Sequence, residues 1–172
     1  MNDVKVVEVF MTGAKVGRIA LTPDALCVFE YDPAYISSAG KIHTVSAAGL
    51  LHADYRIPCL DYLDLLKLCH ILTKNMEEVE MLFRLMAFNV AIKNRDDHAK
   101  NFSFQLIDRE WKLSPAYDLL PSNGFNGFHI TTVNNSGEPS LQDMMTVAEK
   151  IGLNKQRARD IIRNINKEIK NR

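Results

Sequence analysis

Between Asn94 and Phe102 the sequence runs Asn-Arg-Asp-Asp-His-Ala-Lys-Asn-Phe, and seven of the first eight residues are polar. A plain connection from an apolar helix to a strand needs only a short turn, so this density marks a candidate site. Asp96 and Asn101 stand in D-x-x-x-x-N spacing. That spacing sets a carboxylate able to accept a hydroxyl proton near an amide able to bind a metal ion, the pairing phosphoryl transfer needs. The spacing is weak evidence by itself, and its surroundings strengthen it. Phe102 to Ile107 and Trp111 to Ser114 flank Asp108-Arg109-Glu110 and predict a β-hairpin. Asn101 precedes the outgoing strand and Asp118 follows the returning one. Strands paired about 5 Å apart would hold amide and carboxylate close, as two hard oxygen ligands for Mg²⁺.

The elements that must position these residues come from the pattern on either side. Leu60 to Leu72 predicts a helix with a broad apolar face, and Asn75-Met76-Glu77-Glu78 predicts the start of another, with Asn75 and Glu78 satisfying its free N–H groups. Val79, Leu82, Phe83, Met86 and Val90 then form one stripe of a buried helix ending near Lys93, where the polar loop begins. At the other end of the chain, alternating apolar residues, the Thr12-Gly13 and Thr22-Pro23-Asp24 turns and the stop at Asp32-Pro33 predict a three-stranded meander over residues 4 to 36. Residues 37 to 58 carry little pattern, and Ser37-Ser38-Ala39-Gly40 is the best candidate junction. The fold expected is α+β: a small N-terminal antiparallel meander over residues 1–37, then a mainly helical lobe with an embedded hairpin over 38–172.

Composition narrows the classes. Twenty-one basic and twenty-one acidic residues cancel, so no global field steers the protein toward nucleic acid or an anionic membrane. No apolar run approaches the roughly 18 to 20 residues of a membrane span, and the charges within residues 1–10 break any signal-peptide core; a cytoplasmic protein is expected. Cys27, Cys59 and Cys69 lack C-x-x-C spacing and read as reduced packing residues. His43, His52, His70 and His129 show no paired metal spacing and read as surface or core histidines. Asp97 reads as a solvated loop carboxylate, and Trp111 and Tyr117 as packing residues.

Asn94 to Phe104 (NRDDHAKNFSF) and Leu113 to Ser122 (LSPAYDLLPS) resemble the catalytic-loop and metal-loop motifs of the HipA family of bacterial serine/threonine kinases, the toxins of toxin–antitoxin pairs. The similarity runs from roughly Ile42 to Ile165. Val6 to Ile36, with its G-x-x-V-G turn and F-E-Y-D-P ending, is similar to the family's small N-terminal subdomain. The resemblance implies a kinase-like C-lobe, with Asp96 as catalytic base, Asn101 and Asp118 as metal ligands, and His98 or Lys100 supporting a phosphate, Lys100 preferred for its charge. It also implies Mg²⁺ and ATP as cofactors, a protein substrate, and a HipB-like antitoxin that supplies DNA binding. The family's middle, a β-rich lobe with a phosphate-binding loop and a nucleotide-contacting lysine, has no counterpart. Residues 37 to 41 pass almost directly to the helical lobe, and Gly124-Phe125-Asn126-Gly127 reads as a surface loop. ATP binding by this chain alone is therefore doubtful, and so is its standing as an active enzyme.

Two other classes compete. A non-catalytic remnant could retain surfaces that bind the partners of a complete kinase. A helix-turn-helix regulator could use residues 154 to 172, where seven basic residues face two acidic ones, a local excess of +5. Ile161, Ile162, Ile165 and Ile169 form an apolar stripe there, which favours an amphipathic helix closing the lobe, with at most weak nucleic-acid binding.

Overall fold

The computed structural model describes residues 6–11, 14–21, 27–38, 43–53, 60–124 and 126–171. The chain divides into two compact units, Met1–Ile42 and His43–Arg172. In the first, β1 (Val6–Met11), β2 (Ala14–Leu21) and β3 (Cys27–Tyr31) form an antiparallel sheet in the order β1-β2-β3. Its register slips between Val9 and Phe10, a bulge that bends the edge strand. The expected turns at Thr12-Gly13 and Thr22-Pro23-Asp24 lie outside the described residues. Asp32 and Pro33 end the meander by starting a short helix, α1 (Pro33–Ser38), which the sequence pattern did not announce. The Asp32 carboxylate accepts from the Ala34 N–H, and Pro33 occupies a first-turn position whose missing N–H costs nothing.

The second unit carries the site. The expected hairpin forms, with β6 (Ser103–Ile107) paired to β7 (Glu110–Leu113). Its turn is tighter than expected: Asp108 and Arg109, at φ 51° and 68°, make a two-residue connection, and Glu110 already pairs with Ile107. The hairpin is part of a three-stranded sheet, because β4 (His43–Ser46) adds to the other edge of β6. A short helix, α2 (Ala47–Leu51), follows β4, and Ser46 caps it by accepting from the Gly49 N–H. Both lie in the stretch that carried little pattern. Elements of four and five residues are too short for periodicity to register.

Helices dominate the rest. Asp61 caps α3 (Tyr62–Thr73), and the two residues before it form β5 (Leu60–Asp61), parallel to β8 (Thr131–Thr132). Helix α4 (Met76–Ile92) buries Val79, Leu82, Phe83 and Met86 completely, while Val90 packs at the core's margin. Its N-terminus differs from the expected capping box. Asn75 does accept from the Glu77 N–H, but the Asn75 N–H goes to the Thr73 hydroxyl, and the Glu78 carboxylate instead accepts from the Leu113 N–H at the end of β7, 3.1 Å away. Helices α5 (Leu141–Lys150) and α6 (Lys155–Lys170) complete the lobe. Ser140 and Asp143 make a reciprocal capping box at α5. Ile161 and Ile162 of α6 are buried with Ala158 in the same core as Phe83, Tyr62 and Phe104. Cys69 is a free, buried thiol whose pKa desolvation pushes up to about 12. Cys59, and the side chain of Cys27, lie outside the described residues. Among those described, no helix is long and apolar enough to cross a membrane.

Candidate functional site

The loop begins where α4 is forced to stop. Lys93 adopts the left-handed conformation at φ 57°, and the Asn94 N–H reaches back to the Asn89 carbonyl at 2.9 Å, a Schellman closure built without glycine. The chain leaving that closure pairs with the segment after the hairpin. Asn94 bridges Ser122, with Arg95 N–H to Ser122 O at 3.1 Å and Ser122 N–H to Lys93 O at 3.1 Å. Gly124 is required here: at φ 57°, a Cβ would come within 2.9 Å of the Arg95 carbonyl. Gly124 thus also serves as a seat for the polar loop, whereas the sequence suggested only a surface loop.

Asn101 and Asp118 are brought together. The Asn101 Nδ2 donates to the Asp118 Oδ2 at 3.0 Å and to the Asp96 carbonyl at 3.0 Å, so one amide ties all three segments. Asp118 takes a left-handed φ of 57°, and its carbonyl accepts from the Asn94 Nδ2 at 2.9 Å. Tyr117 does more than pack. Its hydroxyl donates to the Lys100 carbonyl and meets the Ser103 hydroxyl at 2.7 Å, locking the 3₁₀ turn Ala99–Asn101 onto the segment after β7. Asp96, Lys100 and Asp118 are exposed, and His98 is half-buried.

Asp97 overturns its expected solvation. It is completely buried, and its carboxylate accepts from the Tyr62 hydroxyl at 2.9 Å and from the Ile130 and Thr131 N–H groups, with His129 Nδ1 at 2.8 Å. The Thr131 hydroxyl donates to the Asp97 carbonyl. Burial, and then the nearby Asp97 charge, raise the Tyr62 pKa well above its ordinary value, so the phenol remains a proton donor. A buried charge costs too much unless it is fully hydrogen-bonded, and here it is. His129, which the sequence left open between surface and core, is therefore a core residue.

These positions fit a hard cation. The Asn101 amide and Asp118 oxygen stand 3.0 Å apart. That is about the spacing of adjacent oxygens around an ion that holds its ligands at about 2.1 Å. Rotating the amide end for end would place its oxygen there. Among the described residues no three His, Cys, Asp or Glu side chains form a ready cage, so water or phosphate would have to fill the other positions, as Mg²⁺ accepts.

Within residues 43–172, a small sheet and a helical lobe thus bring the Asn101 amide and the Asp118 carboxylate together on the loop that carries the exposed Asp96. The sequence matches the family described as HipA-like C-terminal domain over residues 4–172, and the chain belongs to that family. That span includes the meander, which the sequence likened to the family's N-terminal subdomain. Among solved structures, the chain is similar to HipA of Shewanella oneidensis MR-1, seen in a toxin–antitoxin complex with HipB and operator DNA, with a TM-score of 0.61 and 17% identity. The alignment covers 96% of this chain and 42% of that one, so this chain spans less than half the length of the HipA it resembles. At that identity the likeness speaks for the fold. No curated protein matches the sequence.

Proposed function

We propose that this chain is the base-and-metal lobe of a HipA-type protein serine/threonine kinase, and that by itself it does not complete phosphoryl transfer. The observation carrying the reading is the placement of the Asn101 side-chain amide, within 3.0 Å of both the Asp96 backbone and the Asp118 carboxylate. In this reading Asp96 orients the acceptor hydroxyl of a protein serine or threonine and takes up its proton, while Asn101 and Asp118 hold Mg²⁺. Bound there, Mg²⁺ would offset the charge of the ATP phosphates. Lys100 and His98 lie in the same loop and would support a phosphate. Such transfer depends on positioning and on charges that clamp the phosphates, and no glycine-rich loop supplies the second half of that clamp. Lys15, on a strand of the meander, is held by Glu8 at 2.5 Å. A HipB-like antitoxin in the cytoplasm would be the partner, and DNA would be reached through it. The direct passage of residues 37 to 41 into the helical lobe favours a second reading, a non-catalytic chain that binds a kinase's partners.

The deciding assay incubates the purified chain with labelled ATP, Mg²⁺ and a cell lysate, beside Asp96→Asn, then adds any protein resembling the absent lobe that is encoded nearby. The expected result is transfer only with the second protein, lost in Asp96→Asn. Robust transfer by the chain alone, lost in Asp96→Asn, would overturn the inference of incompleteness. No transfer in either case would favour the non-catalytic reading.

A further inference from the structure

Asn89 is a polar residue on the buried side of an otherwise apolar helix, only 2% exposed. Its Nδ2 donates to the Tyr62 hydroxyl at 3.0 Å, and that hydroxyl donates to the Asp97 carboxylate at 2.9 Å. Its Oδ1 accepts from the Asn94 Nδ2 at 3.2 Å, and the same Asn94 nitrogen donates to the Asp118 carbonyl at 2.9 Å. An unbroken chain of hydrogen bonds, buried except for its partly buried last link, therefore runs behind the site, from the residue next to Asp96 to the backbone of Asp118. Both ends need holding. Asp96 is exposed while its neighbour is anchored in the core, and Asp118 occupies a left-handed φ that a non-glycine residue adopts only at a cost.

We propose that Asn89 is a positioning residue that fixes the separation of Asp96 and Asp118, through Tyr62 on one side and Asn94 on the other. The inference rests on the reading of Asn101 and Asp118 as a cation site. Asn89 touches neither the reacting atoms nor the ion. Its amide is the one group with a donor for Tyr62 and an acceptor for Asn94, and leucine, of similar size, supplies neither.

The test measures Mn²⁺ affinity of the full 172-residue chain by titration calorimetry and electron paramagnetic resonance, at a temperature where every variant is folded. Asn89→Leu is expected to bind about tenfold more weakly, the usual loss when a group supporting a metal ligand is removed. Val147→Ala, which opens the core in α5 away from the site, should lose stability but keep wild-type affinity. Tyr62→Phe deletes one oxygen of the chain and serves if Asn89→Leu does not fold; it too should bind more weakly, and the Asn101 side-chain amide resonance should move in it but not in Val147→Ala. Asn89→Leu or Tyr62→Phe binding like wild type, or all variants weakened alike, would overturn the proposal. If wild type binds Mn²⁺ no better than Asp118→Asn, the cation site itself is wrong, and the positioning role falls with it.

Discussion

Loop 94–101 and helix α6 are comparably rich in polar and charged residues, yet the fold uses them in opposite ways. In the loop, Asn94 and Asp97 turn inward and tie it to α3, α4 and the segments carrying Asp118 and His129. In α6 the polar atoms stay outside and find neighbours on the surface: Arg157 with Glu80, Lys155 with Glu149, Arg163 with Asp160. The apolar stripe, rather than the charge, fixes the helix. Polar density points to a site when the backbone has spent buried hydrogen bonds on holding it, and to a solvated face when it has not.

The adjacent aspartates give the largest expected effect. Asp97→Ala leaves the Tyr62 hydroxyl, His129 and two backbone N–H groups without their acceptor, so urea unfolding should show a loss of about 3–5 kcal/mol. Asp96→Ala, one residue away and exposed, should stay within about 0.5 kcal/mol of wild type. Equal losses would erase the distinction between anchor and candidate base.

The same contrast can be drawn within α6. Ile161→Ala should cost about 2–4 kcal/mol by opening a cavity in the shared core, whereas Arg159→Ala on the exposed face should cost no more than about 0.5 kcal/mol. The exposed face should bind DNA only weakly, with a dissociation constant on the order of 10⁻⁴ M that weakens further as salt rises. A sequence-selective footprint at physiological salt, lost on changing Arg157 and Arg159, would instead make α6 a reading helix.

Much of this arrangement was legible in the sequence where a pattern repeats or a spacing is fixed. The α4 stripe and the α6 stripe each announced a helix, and the hairpin explained why Asn101 and Asp118 could meet across seventeen residues. What escaped notice depends on partners far along the chain. Asp97 looked like any loop carboxylate because its acceptor role is set by Tyr62 and His129, thirty-five and thirty-two residues away. Asn89 broke the apolar stripe of α4, a signal available in the sequence, but its two partners come from a different helix and from the loop. Strand β4 exists only because β6 offers it an edge. Glu78 seemed to belong to its own helix cap until β7 presented a free N–H.

The smallest effect concerns the surface link between α4 and α6. Glu80 accepts from Arg157 through both Nε and Nη2, at 2.9–3.2 Å, and from Arg84 at 2.8 Å. Hydrogen bonds from Arg157, then Arg84, hold its carboxyl below the usual value of 4.5. A carboxylate whose folded pKa is depressed adds stability above its unfolded pKa, and that contribution fades as pH falls through the lower folded value. Solvent reaches this cluster and screens it, so Glu80→Gln should cost only about 0.3–1 kcal/mol at neutral pH. Paired urea titrations of wild type and Glu80→Gln should show that gap constant from neutrality down to about pH 5 and closing below the usual glutamate range. The gap should also shrink with added salt at neutral pH. A gap that persists in acid would mean that Glu80 joins the two helices by packing rather than by charge, and α6 would then be held by contacts of one kind throughout.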